Sequence, residues 1–548
     1  MKASDLFIRC LENEGVKYIF GLPGEENEDL LISLLGSTIQ FVTVRHEQGA
    51  AFMADAYGRL TGEPGVCLST LGPGATNLLT GVANANLDNA PVVAITGQGD
   101  TRRLHKESHQ NINVLSVFKP VTKWNASIDH PSSIPEVIRK AFKLAETEKP
   151  GATHIEFRED IAKMEVEGTP LPHLHTRRPG PDQKVLEQAV SLITQARHPL
   201  ILIGNGAVRK NASKHIREFV RKTGIYAANT FMGKGVVSFD DRYNLFTVGL
   251  QGRDFHSCAF EKADLVITMG YDLVEYPPKL WNQGKEKQII HIDFTPAEID
   301  DHYRVAVEIV SDISDAVRTL NEMIEEKQLG DESGFGHIRD QMLHEFNQYK
   351  DDSSFPVKPQ KIIADAREAL SEWDILLSDV GAHKMWIARH YQSYQPNTCL
   401  IPNGFCSMGG AMCWGMTAKL LHPERKILAM SGDGGFMMNV QELETAVRLG
   451  LPLVVLVWND SRYALIEWKQ INHFGKSAFC TFGNPDFVSL AESFGAMGFR
   501  VTKTQDLKKI LNTAFIETEK QRLPAIIDCP VDYKENLRFS ERMKELVC

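Results

Sequence analysis

The chain has 548 residues, 43% of them hydrophobic and 24% charged, with a formal net charge of −10. That length suits about three domains with substantial cores. The acidic balance argues against a nucleic-acid partner or an anionic membrane surface, because the average field attracts neither. Nine cysteines occur without a Cys-x-x-Cys pair, which reads as thiols in a reducing compartment rather than a disulfide framework. No run reaches about 18 consecutive apolar residues, so no membrane span is expected. The start Met1-Lys2-Ala3-Ser4-Asp5 shows no secretory signal, and a cytoplasmic location is the expectation.

Short runs rich in Val, Ile and Leu end at Gly, Asn or Asp, and an amphipathic helical stretch follows each. The pattern recurs in three blocks. Residues 1–170 hold runs at 18–20, 41–44, 66–69 and 92–96. Residues 183–330 hold runs at 200–204, 265–269 and 289–293, and residues 356–548 hold runs at 375–377, 427–430 and 453–458. Stretches 168–181, 330–334 and 351–354 read as linkers, with a short polar helix between the last two. The expected class is α/β, with three doubly wound parallel-sheet domains. The basic run 209–222 reads as a solvated helix face over an apolar stripe. Gly204-Asn205-Gly206 is an incomplete G-x-G-x-x-G and weak evidence for a dinucleotide.

The segment 426–460 carries the most chemistry. A buried strand, the turn Ser431-Gly432-Asp433-Gly434-Gly435, a helix over 439–449 and a second buried strand make one β-α-β unit, so both strands run parallel. Asp433 and Asp460 then share the sheet edge where open α/β sheets bind ligands. Two carboxylates there repel one another without a cation, and magnesium commonly bridges carboxylates to phosphates. Glycines around Asp433 allow backbone N–H groups to approach a phosphate. A pair of ordinary turn aspartates explains the pattern equally well.

Gly432-Asp433-Gly434 followed by Asn459-Asp460 resembles the signature of thiamine-diphosphate enzymes. The resemblance implies that Asp433 and Asp460 ligate Mg2+, with the backbone carbonyl of Arg462 as third protein ligand. Gly432, Gly434, Gly435 and Tyr463 belong to the same implied cofactor site. A second element, residues 44–57, is similar to the family's activating helix, with Glu47 at its start. By residue type alone, Glu47 is a first-turn acid favoured by the helix dipole. By resemblance it faces the pyrimidine ring and activates the cofactor, a role suited to a partly desolvated carboxyl. The family joins one subunit's N-terminal domain to its partner's C-terminal domain, so a homodimer or homotetramer with sites at the subunit interface is implied.

Gly21-Leu22-Pro23-Gly24, Gly72-Pro73-Gly74-Ala75-Thr76-Asn77, Ser108-His109-Gln110 and Met408 also sit where the family has them. Pro23, Gly24, Asn77 and Met408 are thereby implied at the cofactor; Met408 read alone is a core methionine. Gln110 matches an active-site glutamine, although a loop amide is equally natural. Residues 270–276, 281–282, 491–496 and 530–533 look like catabolic, flavin-independent acetolactate synthases, and FAD is not expected. The resemblance thus implies decarboxylation of pyruvate, a 2-oxo acid, through a thiamine-bound enamine and its condensation with a second pyruvate to 2-acetolactate. Some positions depart. Lys469 stands where catabolic synthases carry glutamine. Glu25 and His109 match decarboxylases, whereas their helical glutamate aligns with Ile466. Release of an aldehyde is the alternative, and a catalytically silent cofactor-binding protein is a third reading.

Overall fold

The computed structural model describes residues 1–174, 178–208, 212–250, 255–326, 334–537 and 540. Residues 209–211 of the basic run and 330–333 of the second linker lie outside them; the helix Ala212–Thr223 buries Ile216, Phe219 and Val220 as its spacing predicts.

Three six-stranded sheets are present, and every adjacent pair of strands is parallel. The first holds β1 (Tyr18–Gly21), β2 (Gln40–Thr43), β3 (Gly65–Ser69), β4 (Val92–Gln98), β5 (Trp124–Ile128) and β6 (Ala152–Arg158), in spatial order 2-1-3-4-6-5. The second holds β7 (Pro199–Ile203), β8 (Ala227–Asn229), β9 (Asn244–Thr247), β10 (Leu265–Met269), β11 (Gln288–Asp293) and β12 (Val307–Val310), in order 12-11-10-7-8-9. The third holds β13 (Ile375–Ser378), β14 (Cys399–Leu400), β15 (Ile427–Gly432), β16 (Val454–Asn459), β17 (Met497–Arg500) and β18 (Ala525–Pro530), in order 14-13-15-16-18-17.

Central strands such as β3, β4, β7 and β10 are buried along their whole length, which is why they read as continuous apolar runs. The strand order changes direction between β1 and β3, between β7 and β10, and between β13 and β15. A crevice opens at the carboxyl ends of strands at such a reversal. The helix Phe335–Asn347 is not polar all round: Phe335, Ile338 and Met342 join the middle-domain core. The first and third domains share a core, in which Phe52 and Met53 of the helix Glu47–Thr61 meet Met412, Cys413 and Met416 of the helix Ala411–Leu421. The Thr417 hydroxyl donates to the Met53 carbonyl at 3.0 Å across that contact. Among the described residues no helix is long and apolar enough to cross a membrane.

Candidate active site

The third-sheet crevice is built by two neighbouring strands. Gly432 of β15 pairs directly with Trp458 of β16, so no strand separates Asp433 from Asp460. Asp433 does not sit in a turn. It opens the helix Asp433–Met438 directly from β15, and its Oδ1 accepts from the Gly434 N–H at 2.7 Å. That local bond offsets the poor helix propensity of the two glycines. Its Oδ2 accepts from the amides of Asp460 (3.1 Å) and Ser461 (2.6 Å) and from Asn484 Nδ2 (2.8 Å). Ser461 reaches this position with a left-handed φ of 57°. Burial lifts both aspartates above the usual carboxylate range; Asp460, which also feels Asp433, is pushed up to about 7. Such a pair calls for a proton or a cation.

A cleft of about 100 Å³ runs beside the pair, lined by Met408, Gly432, Gly434, Gly435, Arg462, Tyr463 and Ile466 together with His383 and Tyr533. Every lining residue belongs to the third domain. Lys469 is exposed on the helix Ala464–Phe474 and does not line it.

Three residues here were missed in the sequence. Asp379 follows β13 at the strand-order reversal and is buried. It accepts from Ser431 Oγ (2.6 Å) and from the Gly409 amide (2.8 Å), so it ties the Met408 loop to the Asp433 segment. Burial raises it to about 6. His383 lies in the first turn of the helix Ala382–His390; its ring Nε2 is buried without a protein partner, and burial lowers the imidazole to about 3. Asn484 bridges Asp433, Asn459 and Ser461. The run Asp379-Val380-Gly381 closing the 375–377 strand was the available signal for the first two.

At the first-sheet crevice, Glu47 starts the helix after β2 and is only 6% exposed. His46 caps that helix by accepting from the Gln48 amide at 3.1 Å. Glu47 Oε2 accepts from Asn77 Nδ2 at 3.0 Å, and its Oε1 lies 3.2 Å from where a Cβ on Gly74 would stand. Pro23 and Gly24 follow β1. The Gly24 amide donates to Asn27 at 2.9 Å, and Glu26 accepts from Thr70 Oγ1 at 2.6 Å, which pins the turn across the crevice. Glu26 is the buried acid of this turn; Glu25, His109 and Gln110 face outward. Gln110 has a left-handed φ of 56°, and its backbone packs against Gly72 so closely that a Cβ there would meet Gln110 O at 2.6 Å.

Three regions match thiamine pyrophosphate enzyme domains: residues 1–117 the N-terminal TPP binding domain, 186–320 the central domain and 379–529 the C-terminal TPP binding domain. This chain belongs to the thiamine pyrophosphate enzyme family. Among family members it is 34% identical to the acetolactate synthase of Bacillus subtilis (strain 168), over 98% of this chain and 95% of that protein. It is 33% identical to the catabolic acetolactate synthase of Raoultella terrigena, over 97% and 95%. The chloroplastic acetolactate synthase of Arabidopsis thaliana is 31% identical, over 96% and 81%.

The residues present fit the family's cofactor. A carboxylate pair, Asp433 buried and Asp460 partly so, suits a metal-bound diphosphate, and the orphaned His383 Nε2 is a donor or acceptor waiting on the same cleft. Among the described residues no cluster of three or more His, Cys, Asp or Glu side chains could hold a metal ion by itself. A cation at two carboxylates therefore depends on further oxygen ligands, as a thiamine pyrophosphate enzyme's diphosphate offers. The middle-domain crevice differs. Glu275 Oε1 accepts from the Asn205 amide at 3.0 Å and lies 2.8 Å from where a Cβ on Gly204 would stand. The chain's own carboxylate thus covers the Gly204-Asn205-Gly206 loop.

Proposed function

We propose that this enzyme is acetolactate synthase-like: it decarboxylates pyruvate and joins the two-carbon fragment to a second pyruvate, using thiamine diphosphate and Mg2+ and no flavin. The observation that carries the reading is the adjacency of Asp433 and Asp460 at the carboxyl ends of paired strands. The cofactor, when bound, supplies the electron sink for loss of carbon dioxide.

The chain's residues supply the rest. Asp433, Asp460 and the carbonyl of Arg462 hold the cation, and His383 with Gly432, Gly434 and Gly435 receives the diphosphate. Glu47, desolvated and oriented by Asn77, holds and returns a proton at the pyrimidine ring nitrogen. Met408, Tyr463 and Ile466 make an apolar wall that excludes water from the reacting carbon and so favours carboligation over aldehyde release. Gln110, His109, Glu25, Pro23 and Gly24 act at the substrate end.

Because first-domain residues are absent from the cleft lining, a second copy of the chain provides them in a homodimer or a homotetramer. Phe405, Met437, Met438, Phe474 and Phe479 are exposed apolar side chains in or near the elements that form the cleft, as a covered surface requires. The Glu275 carboxyl takes the Asn205 amide and fills the space beside Gly204 where a dinucleotide phosphate would lie, which supports flavin independence.

Incubation with pyruvate, thiamine diphosphate and Mg2+, without flavin, tests the reading. 2-Acetolactate is the expected product. Free acetaldehyde as main product selects the decarboxylase reading, and no turnover with any 2-oxo acid rejects both.

A further inference from the structure

We infer that Glu442 is the positioning residue for Glu47, fixing the first turn of the activating helix from the diphosphate-side domain of the same chain. The inference rests on the proposed role of Glu47.

Glu442 opens the helix Glu442–Arg448, a few residues beyond the Asp433 segment, and is fully buried. Its Oε1 accepts from the backbone N–H of His46 at 2.9 Å and of Arg45 at 3.1 Å, and its Oε2 accepts from Thr445 Oγ1 at 2.7 Å. Arg45 and His46 are the two residues before Glu47. The same carboxyl lies 2.8 Å from where a Cβ on Gly49 would stand, so the glycine keeps the helix close enough for these bonds. Two N–H groups at the helix entry are thereby held by one carboxylate reaching in from another domain. The helix entry sets where the Glu47 side chain points, and displacement of a proton-transfer group by about 1 Å can cost on the order of 100-fold in rate.

Glu442→Leu removes the acceptor at similar volume, Glu442→Gln retains an acceptor oxygen, and Gly49→Ala pushes the carboxyl away from the opposite side. In the cofactor-free protein, amide exchange of a 44–50 peptide should quicken in Glu442→Leu and Gly49→Ala. In the holoenzyme, hydrogen–deuterium exchange at the thiazolium C2 of bound cofactor should slow by about 10- to 100-fold in both. Glu442→Gln should restore it to near the wild-type rate, with cofactor affinity little changed in all three and the unfolding temperature lowered in Glu442→Leu, which leaves the Arg45 and His46 N–H groups without their acceptor. If Glu442→Leu fails to fold, Gly49→Ala decides. Wild-type C2 exchange in Glu47→Gln overturns the role of Glu47 and this inference with it. Slow exchange in Glu47→Gln beside wild-type exchange in Gly49→Ala and any folded Glu442→Leu overturns this inference alone.

Discussion

The backbone N–H of Ser461 donates to Asp433 Oδ2 at 2.6 Å, so the loop after β16 is fastened to the acid that follows β15. The helix start at Asp433 is therefore tied to the loop after β16, and Asp433 and Asp460 are held side by side before any cation arrives. That preorganisation suits the proposed cation clamp better than two independent acids.

Asp433→Ala removes one proposed cation ligand and the acceptor for four neighbouring donors. Thiamine diphosphate with Mg2+ should raise the unfolding temperature of the wild-type protein, and ligand at about 100 times its dissociation constant adds about 2.7 kcal/mol. In Asp433→Ala the shift should vanish, as it should in wild type treated with EDTA. Differential scanning fluorimetry checks this, and a full shift in the variant contradicts the assigned ligand.

Ile466 presents an apolar side chain to the cleft where a carboxylate would bring water and a proton donor. Ile466→Glu should lower the ratio of acetolactate to acetaldehyde by about tenfold or more, by easing protonation of the reacting carbon. Chromatographic product ratios measure it, and an unchanged ratio removes Ile466 from the partition.

Glu275 offers a pH test away from the proposed cation site. Burial, with Asp272 adding to it, raises its carboxyl to about 8. An acid whose pKa rises on folding holds its proton more tightly in the native state, so its stabilising contribution is present at low pH and is lost as pH climbs through the folded value. Between about pH 5 and pH 8 the urea midpoint of wild type should fall more steeply than that of Glu275→Gln. Parallel slopes would show that Glu275 titrates normally.

Much of this was legible in the sequence because parallel sheets write themselves as apolar runs. The runs at 427–430 and 453–458 placed Asp433 and Asp460 on one edge, and the structure makes their strands direct neighbours. The segment 431–435 was expected as a turn and folds as helix from Asp433 onward, since the aspartate side chain bonds its own first turn, a choice residue types alone do not reveal. Asp379, His383, Asn484 and Glu442 were missed for a different reason. Each acts through tertiary contacts with segments far along the chain, as Glu442 does with Arg45 and His46, and no periodicity marks such partners.

The central claim is that Glu47 of one chain and Asp433 of another serve the same cofactor. Mixing Glu47→Gln subunits with Asp433→Ala subunits tests it, since each variant alone is expected to be inactive. In a two-fold symmetric dimer, the hybrid has one site with both native residues, so random exchange should restore about a quarter of wild-type activity. Subunit exchange confirmed by mass spectrometry without any recovered acetolactate formation would contradict the account.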